Sequence, residues 1–181
     1  MNGASTSAPA PAARRSRSRR RWATGASLLA TDVDPQRLIN LAARARRAGV
    51  EIVRTRRVDA DLPLPDLGLA DRVLVDAPCS SLGSLRRSPD LRWRLRPEEI
   101  APFARTQLEI LGRAATCVRP GGLLVYATCT LTPEENEGVA ADFLLQHEGW
   151  RPEPLTDAGP LRLWPHVHGT DGFFACAWRA R

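Results

Sequence analysis

Asp71-Arg-Val-Leu-Val-Asp-Ala-Pro-Cys79-Ser-Ser81 and Leu123-Leu-Val-Tyr-Ala-Thr-Cys129-Thr130 are the two stretches that decide the fold of this chain. Each begins with an apolar run typical of a strand and ends abruptly at a cysteine. In a parallel sheet, ligands bind at the carboxyl ends of the strands. We therefore expect the thiols of Cys79 and Cys129 to lie at neighbouring strand ends, where both can reach one substrate.

Strands and helices alternate outward from these two stretches. The apolar pattern predicts strands at 27–33, 51–57, 72–76, 123–127 and 172–178. Asp34 and Pro35 predict a helix start and Gly49 its end, Pro97 opens a long second helix, and Thr132 to Glu135 is read as a capping box that opens a third. Residues 80–96 are expected to form a loop and 119–122 a turn. This alternation predicts an α/β fold with a mostly parallel sheet and helices on both faces.

Composition limits the organisation and the partners. The 181 residues, 43% of them hydrophobic, suffice for one domain, predicted at 25–181, after a disordered Ala/Pro/Ser/Arg-rich tail at 1–24. The 26 basic residues are all Arg, and six of them fall in 14–21. The remaining 20 balance the 20 acidic residues, so the net charge of +6 belongs to the tail and does not indicate a nucleic-acid surface on the folded part.

Several classes of protein are disfavoured by what the sequence lacks. It contains no long apolar run and no signal-peptide pattern, so we expect no membrane association. The four Cys and three His show no zinc spacing, so we expect no metal. These features favour a cytoplasmic monomer with reduced thiols.

Longer motifs around the two thiols resemble a known family. Residues 76–83 (Asp-Ala-Pro-Cys-Ser-Ser-Leu-Gly), followed by Arg86-Arg-Ser-Pro-Asp90 and Trp93, are similar to motif IV of the Sun/RsmB-type RNA cytosine-5 methyltransferases. Residues 126–137 (Tyr-Ala-Thr-Cys-Thr-Leu-Thr-Pro-Glu-Glu-Asn-Glu) are similar to motif VI of that family, and 165–174 resemble its terminal strand. The resemblance implies a Rossmann-like fold and methyl transfer from S-adenosylmethionine to carbon 5 of cytosine in RNA, with an rRNA as the expected substrate.

The resemblance also implies roles for individual residues. Cys129 would attack carbon 6 of the cytosine, and Cys79 would assist breakdown of the covalent adduct. Asp76 would hold the cytosine edge near ring nitrogen 3, and it is counted with the cofactor-binding residues as well. Asp32 would bind the cofactor ribose and Asp59 would lie near the adenine. A simpler interpretation stays open for some of them, since Asp32 could be part of a helix cap and a lone cysteine is often a buried apolar residue.

The loop after Cys79 is the predicted RNA contact. A base reacts only when it is unpaired or flipped from its stack. Arg86, Arg87, Arg92 and Arg94 could grip the RNA backbone, while Trp93 offers a stacking face. The alternative is that this segment is merely a solvated surface.

One family motif is missing from the sequence. The family carries Asp-x-Cys-Ala-Ala-Pro-Gly-Gly-Lys-Thr before the ribose-binding Asp, and nothing between residue 1 and Asp32 matches it. We therefore expect an N-terminally truncated, partial catalytic domain with impaired activity. An out-of-frame reading or misplaced start would account for the abrupt change near Gly25. A catalytically inactive RNA-binding remnant is the alternative function, and a redox role for the two thiols is a third.

Overall fold

The computed structural model describes residues 26–60, 62 and 64–181, so the predicted tail at 1–24 lies outside the described residues. Seven strands are present in this part of the chain: β1 Leu28–Asp32, β2 Val53–Arg57, β3 Ala70–Asp76, β4 Val118–Thr128, β5 Trp150–Glu153, β6 Leu161–Leu163 and β7 Phe173–Ala180. The α-helices of the same residues are α1 Pro35–Arg47, α2 Leu91–Arg94, α3 Ile100–Ala115, α4 Val139–Gln146 and α5 Pro165–His168. Short 3-10 turns occupy Leu82–Ser84 and Pro97–Glu99, and Glu134–Gly138 is a π-helical turn.

The chain divides into two compact units between Pro65 and Asp66. In the first unit, β1 and β2 pair in parallel and α1 connects them. The side chain of Asp34 accepts a hydrogen bond from the backbone N–H of Gln36 at 2.8 Å and so caps α1, as the sequence predicts. Gly49 follows the helix with φ at 64°, a left-handed conformation that suits glycine.

The second unit is built on a five-stranded sheet in the order β3-β4-β7-β5, with β6 also paired to β7. β3 and β4 are parallel neighbours, whereas β7 runs antiparallel to β4, β5 and β6. The α/β fold is confirmed, but the expectation of a mostly parallel sheet is wrong in detail. The described strands make a mixed arrangement because the last strand, β7, lies between β4 and β5 and runs antiparallel to both.

The core of the second unit lies on one face of this sheet. Leu124, Tyr126 and Thr128 alternate along β4 and are completely buried. The side chains of Leu111 in α3 and Phe143 in α4 are also completely buried in this core, where Phe143 and Trp178 have ring centroids 4.6 Å apart. Successive residues of a strand alternate between the two faces of the sheet, so these buried residues hold one face of β4 against the core. Cys129 follows directly after β4, in sequence with the residues of the other face.

Strand β4 is longer than the sequence pattern indicates. The predicted turn at 119–122 lies inside it as a bulge, since Ala70 of β3 pairs with Val118 and Arg72 pairs with Leu123. Gly121 takes φ of 73° within the bulge. The sequence pattern therefore located the irregularity at 119–122 correctly. It did not predict that the pairing with β3 already begins before it, at Val118. Across the described ranges, every helix is too short or too polar to cross a lipid bilayer.

Candidate active site

The two cysteines are brought together by neighbouring parallel strands. β3 ends at Asp76 and β4 ends at Thr128, and the strand register pairs Asp76 with Ala127. Cys79 and Cys129 follow these ends, and their sulfur atoms lie 3.4 Å apart. Cys79 is buried while Cys129 is partly exposed, so only the second thiol is open to a substrate. The predicted proximity of the two thiols is thus present in the structure.

The sulfur contact makes the two thiols chemically unequal. A hydrogen bond from Cys79, helped by the Ser81 hydroxyl at 3.5 Å, lowers the pKa of Cys129 from its ordinary 9.0 to about 7. The same bond and burial raise the pKa of Cys79 well above the ordinary value. Since the thiolate is the nucleophilic form, Cys129 is the sulfur prepared to attack at neutral pH. Ser81 was not singled out by the sequence, although it lies two residues after Cys79.

Asp76 provides a negative charge beside these thiols. It is half-buried at the end of β3, and its charge opposes ionisation of Cys129, which raises the pKa of that thiol. The hydrogen bonds that Cys129 makes with Cys79 and Ser81 outweigh this effect, because the net shift of the Cys129 pKa is downward. The Asp76 carboxylate therefore does not activate the Cys129 thiol.

Two glycines hold the loops around Cys129 in close contact. The N–H of Gly83 donates to the carbonyl of Cys129 at 2.9 Å, and the N–H of Gly172 donates to the carbonyl of Gly83 at 2.8 Å. A side chain on Gly83 would overlap the backbone of both neighbours. The loop after Cys79, the loop after β4 and the segment before β7 are consequently stacked backbone on backbone.

The predicted capping box at Thr132 to Glu135 is wrong. The Glu135 side chain does not reach back to the Thr132 N–H; it accepts hydrogen bonds from the hydroxyl of Thr132 and from Ser80 in the loop after Cys79. The turn that follows is π-helical rather than the start of a regular α-helix. The buried carboxylate of Glu135 accepts a hydrogen bond from Ser80, which lies 55 residues away in the chain. A sequence pattern that spans four residues cannot detect such a contact.

Two of the three residues predicted to bind the cofactor, Asp32 and Asp59, lie in the first unit, whereas Asp76 lies in the second. Asp32 ends β1 with its side chain almost fully buried, and its Oδ1 accepts from the N–H of Asp34 at 2.8 Å. A carboxylate at the carboxyl end of a parallel strand is suited to accept hydrogen bonds from ribose hydroxyls. Asp59 is exposed just after β2, at the same end of the β1–β2 pair, since the N–H of Val58 donates to the carbonyl of Asp32. Their roles towards the ribose and adenine of S-adenosylmethionine stay predictions.

The predicted RNA-contacting residues separate into two groups. Arg86 donates to the carbonyl of Gly169 at 3.3 Å and Arg87 forms an ion pair with Asp171, so these two anchor the loop to the segment before β7. Trp93 is 80% exposed, and the Arg92 guanidinium lies 5.2 Å from its ring centroid. Arg92 and Trp93 therefore form an exposed pair, and their contact with RNA stays a prediction.

Comparisons with known proteins show the family of this chain. A family model described as 16S rRNA methyltransferase RsmB/F matches residues 9–179. Ribosomal RNA small subunit methyltransferase B of Thermus thermophilus is 42% identical over 158 residues, covering 84% of this chain and 39% of that protein. The corresponding protein of Yersinia pseudotuberculosis is 40% identical over 153 residues, with 82% and 35% covered.

Two solved structures are similar to this chain in both fold and sequence. The crystal structure of NSun6 from Pyrococcus horikoshii with SFG has a TM-score of 0.74 and 32% identity, and it covers 96% of this chain and 46% of that one. A methyltransferase homologue from the same organism has a TM-score of 0.68 at 27% identity, with 86% and 53% covered. The chain spans 34 to 39% of the length of several curated relatives that it matches.

Proposed function

Because the chain belongs to the RsmB/F family of 16S rRNA methyltransferases, we propose that it carries the cytosine-reacting site of an S-adenosylmethionine-dependent RNA (cytosine-5) methyltransferase. The observation that carries this proposal is the contact between the Cys79 and Cys129 sulfur atoms at 3.4 Å, with the pKa of Cys129 lowered to about 7. A neutral-pH thiolate next to a second thiol suits a reaction in which one sulfur attacks and the other assists release. The relatives named above support an rRNA as the substrate.

The first half of the reaction is nucleophilic addition by Cys129. Its thiolate forms a bond to carbon 6 of an unpaired cytosine, and the electron pair of the C5–C6 double bond moves towards carbon 5 and the ring. Asp76 lies beside the thiols, where its carboxylate can hold the protonated ring nitrogen 3 and balance that positive charge. This would give a role in the reaction to a carboxylate whose charge disfavours ionisation of Cys129.

The second half regenerates the thiol. S-adenosylmethionine, when bound, supplies the methyl group that carbon 5 accepts. The hydrogen on carbon 5 then leaves as a proton to water, its electron pair re-forms the ring double bond, and the sulfur of Cys129 leaves carbon 6 with the electron pair of that bond as a thiolate. Cys79 is placed to assist this release because its sulfur touches that of Cys129 and it keeps its proton at neutral pH.

We further propose that cofactor binding is the weak part of this chain. Asp32 and Asp59 fit the ribose and adenine, but the sequence before Asp32 has no glycine-rich turn to approach the methionine part. This favours impaired activity and keeps a second function in view, an RNA-binding remnant that uses Arg92 and Trp93 without methyl transfer. Isothermal titration of the folded chain with S-adenosylmethionine separates the two, since heat of binding supports the enzyme and its absence supports the remnant.

Covalent trapping tests the chemistry directly. Fluorine at carbon 5 cannot leave as a proton does, so a 16S rRNA fragment containing 5-fluorocytosine should stay attached to Cys129 in the presence of S-adenosylmethionine. We expect the adduct in the natural chain, in Cys79→Ala and in the control Cys117→Ala, and its loss in Cys129→Ala. Adducts that persist in Cys129→Ala would mean that another group is the nucleophile.

A further inference from the structure

Two consecutive residues, Glu135 and Asn136, link the loops that carry the two thiols. They lie in the π-helical turn Glu134–Gly138, in which the N–H of Gly138 donates to the carbonyl of Pro133 at 2.9 Å. Glu135 is completely buried and Asn136 is 4% exposed. π-helical turns of this kind are costly and occur frequently at functional sites. The mechanism above assigns no task to either residue.

Glu135 holds the loop of Cys79. Its Oε1 accepts from the backbone N–H of Ser80 at 2.8 Å and from Nε2 of Gln107 at 2.9 Å. Its Oε2 accepts from the hydroxyls of Ser80 and of Thr132, the latter at 2.8 Å. Four donors surround the two oxygens, which is the full acceptor capacity of a carboxylate. The residue next to Cys79 is therefore fixed through both its backbone and its side chain.

Gln107 extends this hold to the other side of Cys79. Besides its bond to Glu135, its Nε2 donates to the carbonyl of Pro78 at 2.8 Å. The hydroxyl of Tyr126, in β4, donates to Oε1 of Gln107 at 2.9 Å and fixes the amide orientation. Pro78 and Ser80, the chain neighbours of Cys79, are thus both held by the hydrogen-bonded side chains of Glu135 and Gln107.

Asn136 holds the residues on either side of Cys129 in the same way. Its Oδ1 accepts from the hydroxyl of Thr128 at 2.6 Å, and its Nδ2 donates to the carbonyl of Thr130 at 3.2 Å. Thr128 and Thr130 are completely buried, so these bonds face no competition from water. Cys129 lies between them, at the exposed end of the strand.

We propose that Glu135 and Asn136 are a positioning pair that sets the separation of the two thiols. Each residue holds one thiol loop, and the single peptide bond between them leaves little freedom for one loop to move without the other. A buried carboxylate without a cation costs free energy, and apolar residues of similar volume would pack the same space at lower cost. A positioning role gives this costly polar pair a purpose. The inference rests on the proposed function only for its purpose, because the geometry exists without RNA or cofactor.

The effect of the positioning pair can be measured through the pKa of Cys129. The groups that set the Cys129 pKa are the Cys79 thiol and Ser81 hydroxyl, which lower it, and the Asp76 carboxylate, which raises it. If the loops separate, the hydrogen bonds that Cys129 makes with Cys79 and Ser81 weaken. Burial and the charge of Asp76, which both raise the pKa of Cys129, then have the larger effect on it. Loss of the positioning pair should therefore raise the pKa of Cys129.

Glu135→Ala in the full chain is the main test, with Glu134→Ala as its control in the same turn, because Glu134 is exposed. The rate of Cys129 alkylation by iodoacetamide is measured against pH by peptide mass spectrometry, beside a thermal unfolding curve. We expect the midpoint to rise by about one pH unit in Glu135→Ala, an approximately fivefold slower reaction at pH 7. Glu134→Ala should leave the midpoint unchanged.

Glu135→Gln should recover most of the natural behaviour. The amide oxygen can still accept from Ser80 and Gln107, while the hydroxyls of Ser80 and Thr132 can turn and accept from the amide nitrogen. An unchanged midpoint in Glu135→Ala, whether or not the melting temperature falls, overturns the proposal, because the residue is then only structural.

If Glu135→Ala does not fold, Thr128→Val decides the matter. It keeps the volume and removes only the hydroxyl that Asn136 holds, and we expect a smaller rise in the same midpoint; no rise overturns the proposal. These measurements need neither RNA nor S-adenosylmethionine. A shifted midpoint together with failed RNA trapping would therefore refute the proposed function and leave the positioning pair standing.

Discussion

The two units of this chain differ in how much apolar core their own described residues form. In Asp66–Arg181, a twelve-residue buried core and a fully bonded polar cluster support the two thiols. In the described part before Asp66, Leu38 is the single buried hydrophobic residue, while Leu29, Val33 and Ile39 are 39 to 59% exposed. The unit that carries the two thiols is therefore well supported by apolar packing, whereas the unit that carries Asp32 and Asp59 has little apolar burial.

Core truncation should give the largest contrast between the units. Phe143→Ala removes a completely buried ring that packs on Trp178, and it should cost about 3–5 kcal/mol of unfolding free energy. Leu38→Ala should cost about 2 kcal/mol, the low end for leucine, because few buried neighbours surround it. Hydrogen exchange of the α1 and α3 amides at increasing urea concentrations measures both, because every tryptophan that the structure describes follows Asp66. Equal losses in the two variants would break the comparison.

The secondary structure around both units could largely be predicted from local patterns. Asp34 and Pro35 start α1, and Gly49 follows its end, because capping chemistry acts within a few residues. The strand before each thiol was equally readable. The neighbouring position of β3 and β4 then follows from the α/β pattern, so the meeting of Cys79 and Cys129 could be expected.

The polar cluster behind the thiols could not be predicted in this way. Glu135 bonds to Ser80 and Gln107, which lie 55 and 28 residues away in the chain, and such partners leave no periodic signal. The motif pattern instead suggested a local capping box. Gln107 offered a weak clue, since it is a polar residue on the apolar side of α3, where the structure buries it completely.

A methyl group at position 83 should have the next largest effect. Gly83→Ala would press against the carbonyls of Gly172 and Cys129, which cannot yield without moving the stacked loops. We expect a loss of about 2 kcal/mol in unfolding free energy. Gly149→Ala is the matched control, because its new methyl group meets no atom within 4 Å. A neutral Gly83→Ala would show that the stacked loops are looser than the core beneath them.

Thiol reactivity sharpens the comparison by asking whether the second unit works by itself. At pH 7, iodoacetamide should alkylate Cys129 at least about tenfold faster than Cys79, since the pKa of Cys129 is about 7 and that of Cys79 is raised. The Cys129 rate should fall as the pH drops below 7, where its thiolate is protonated. Asp32→Asn should change neither rate, because the groups that set the Cys129 pKa all follow Asp66 in the chain.

The smallest expected effect comes from the cap of α1. Asp34→Ala removes the acceptor for the Gln36 N–H and should cost about 1 kcal/mol of local stability. In a unit with little core, this loss should appear as faster hydrogen exchange of the α1 amides while β4 and β7 keep their protection. Gln36→Ala is the control, since it leaves the cap intact. If Asp34→Ala also exposed the β4 amides, the two units would unfold as one, and the contrast in their burial would not be a contrast in their stability.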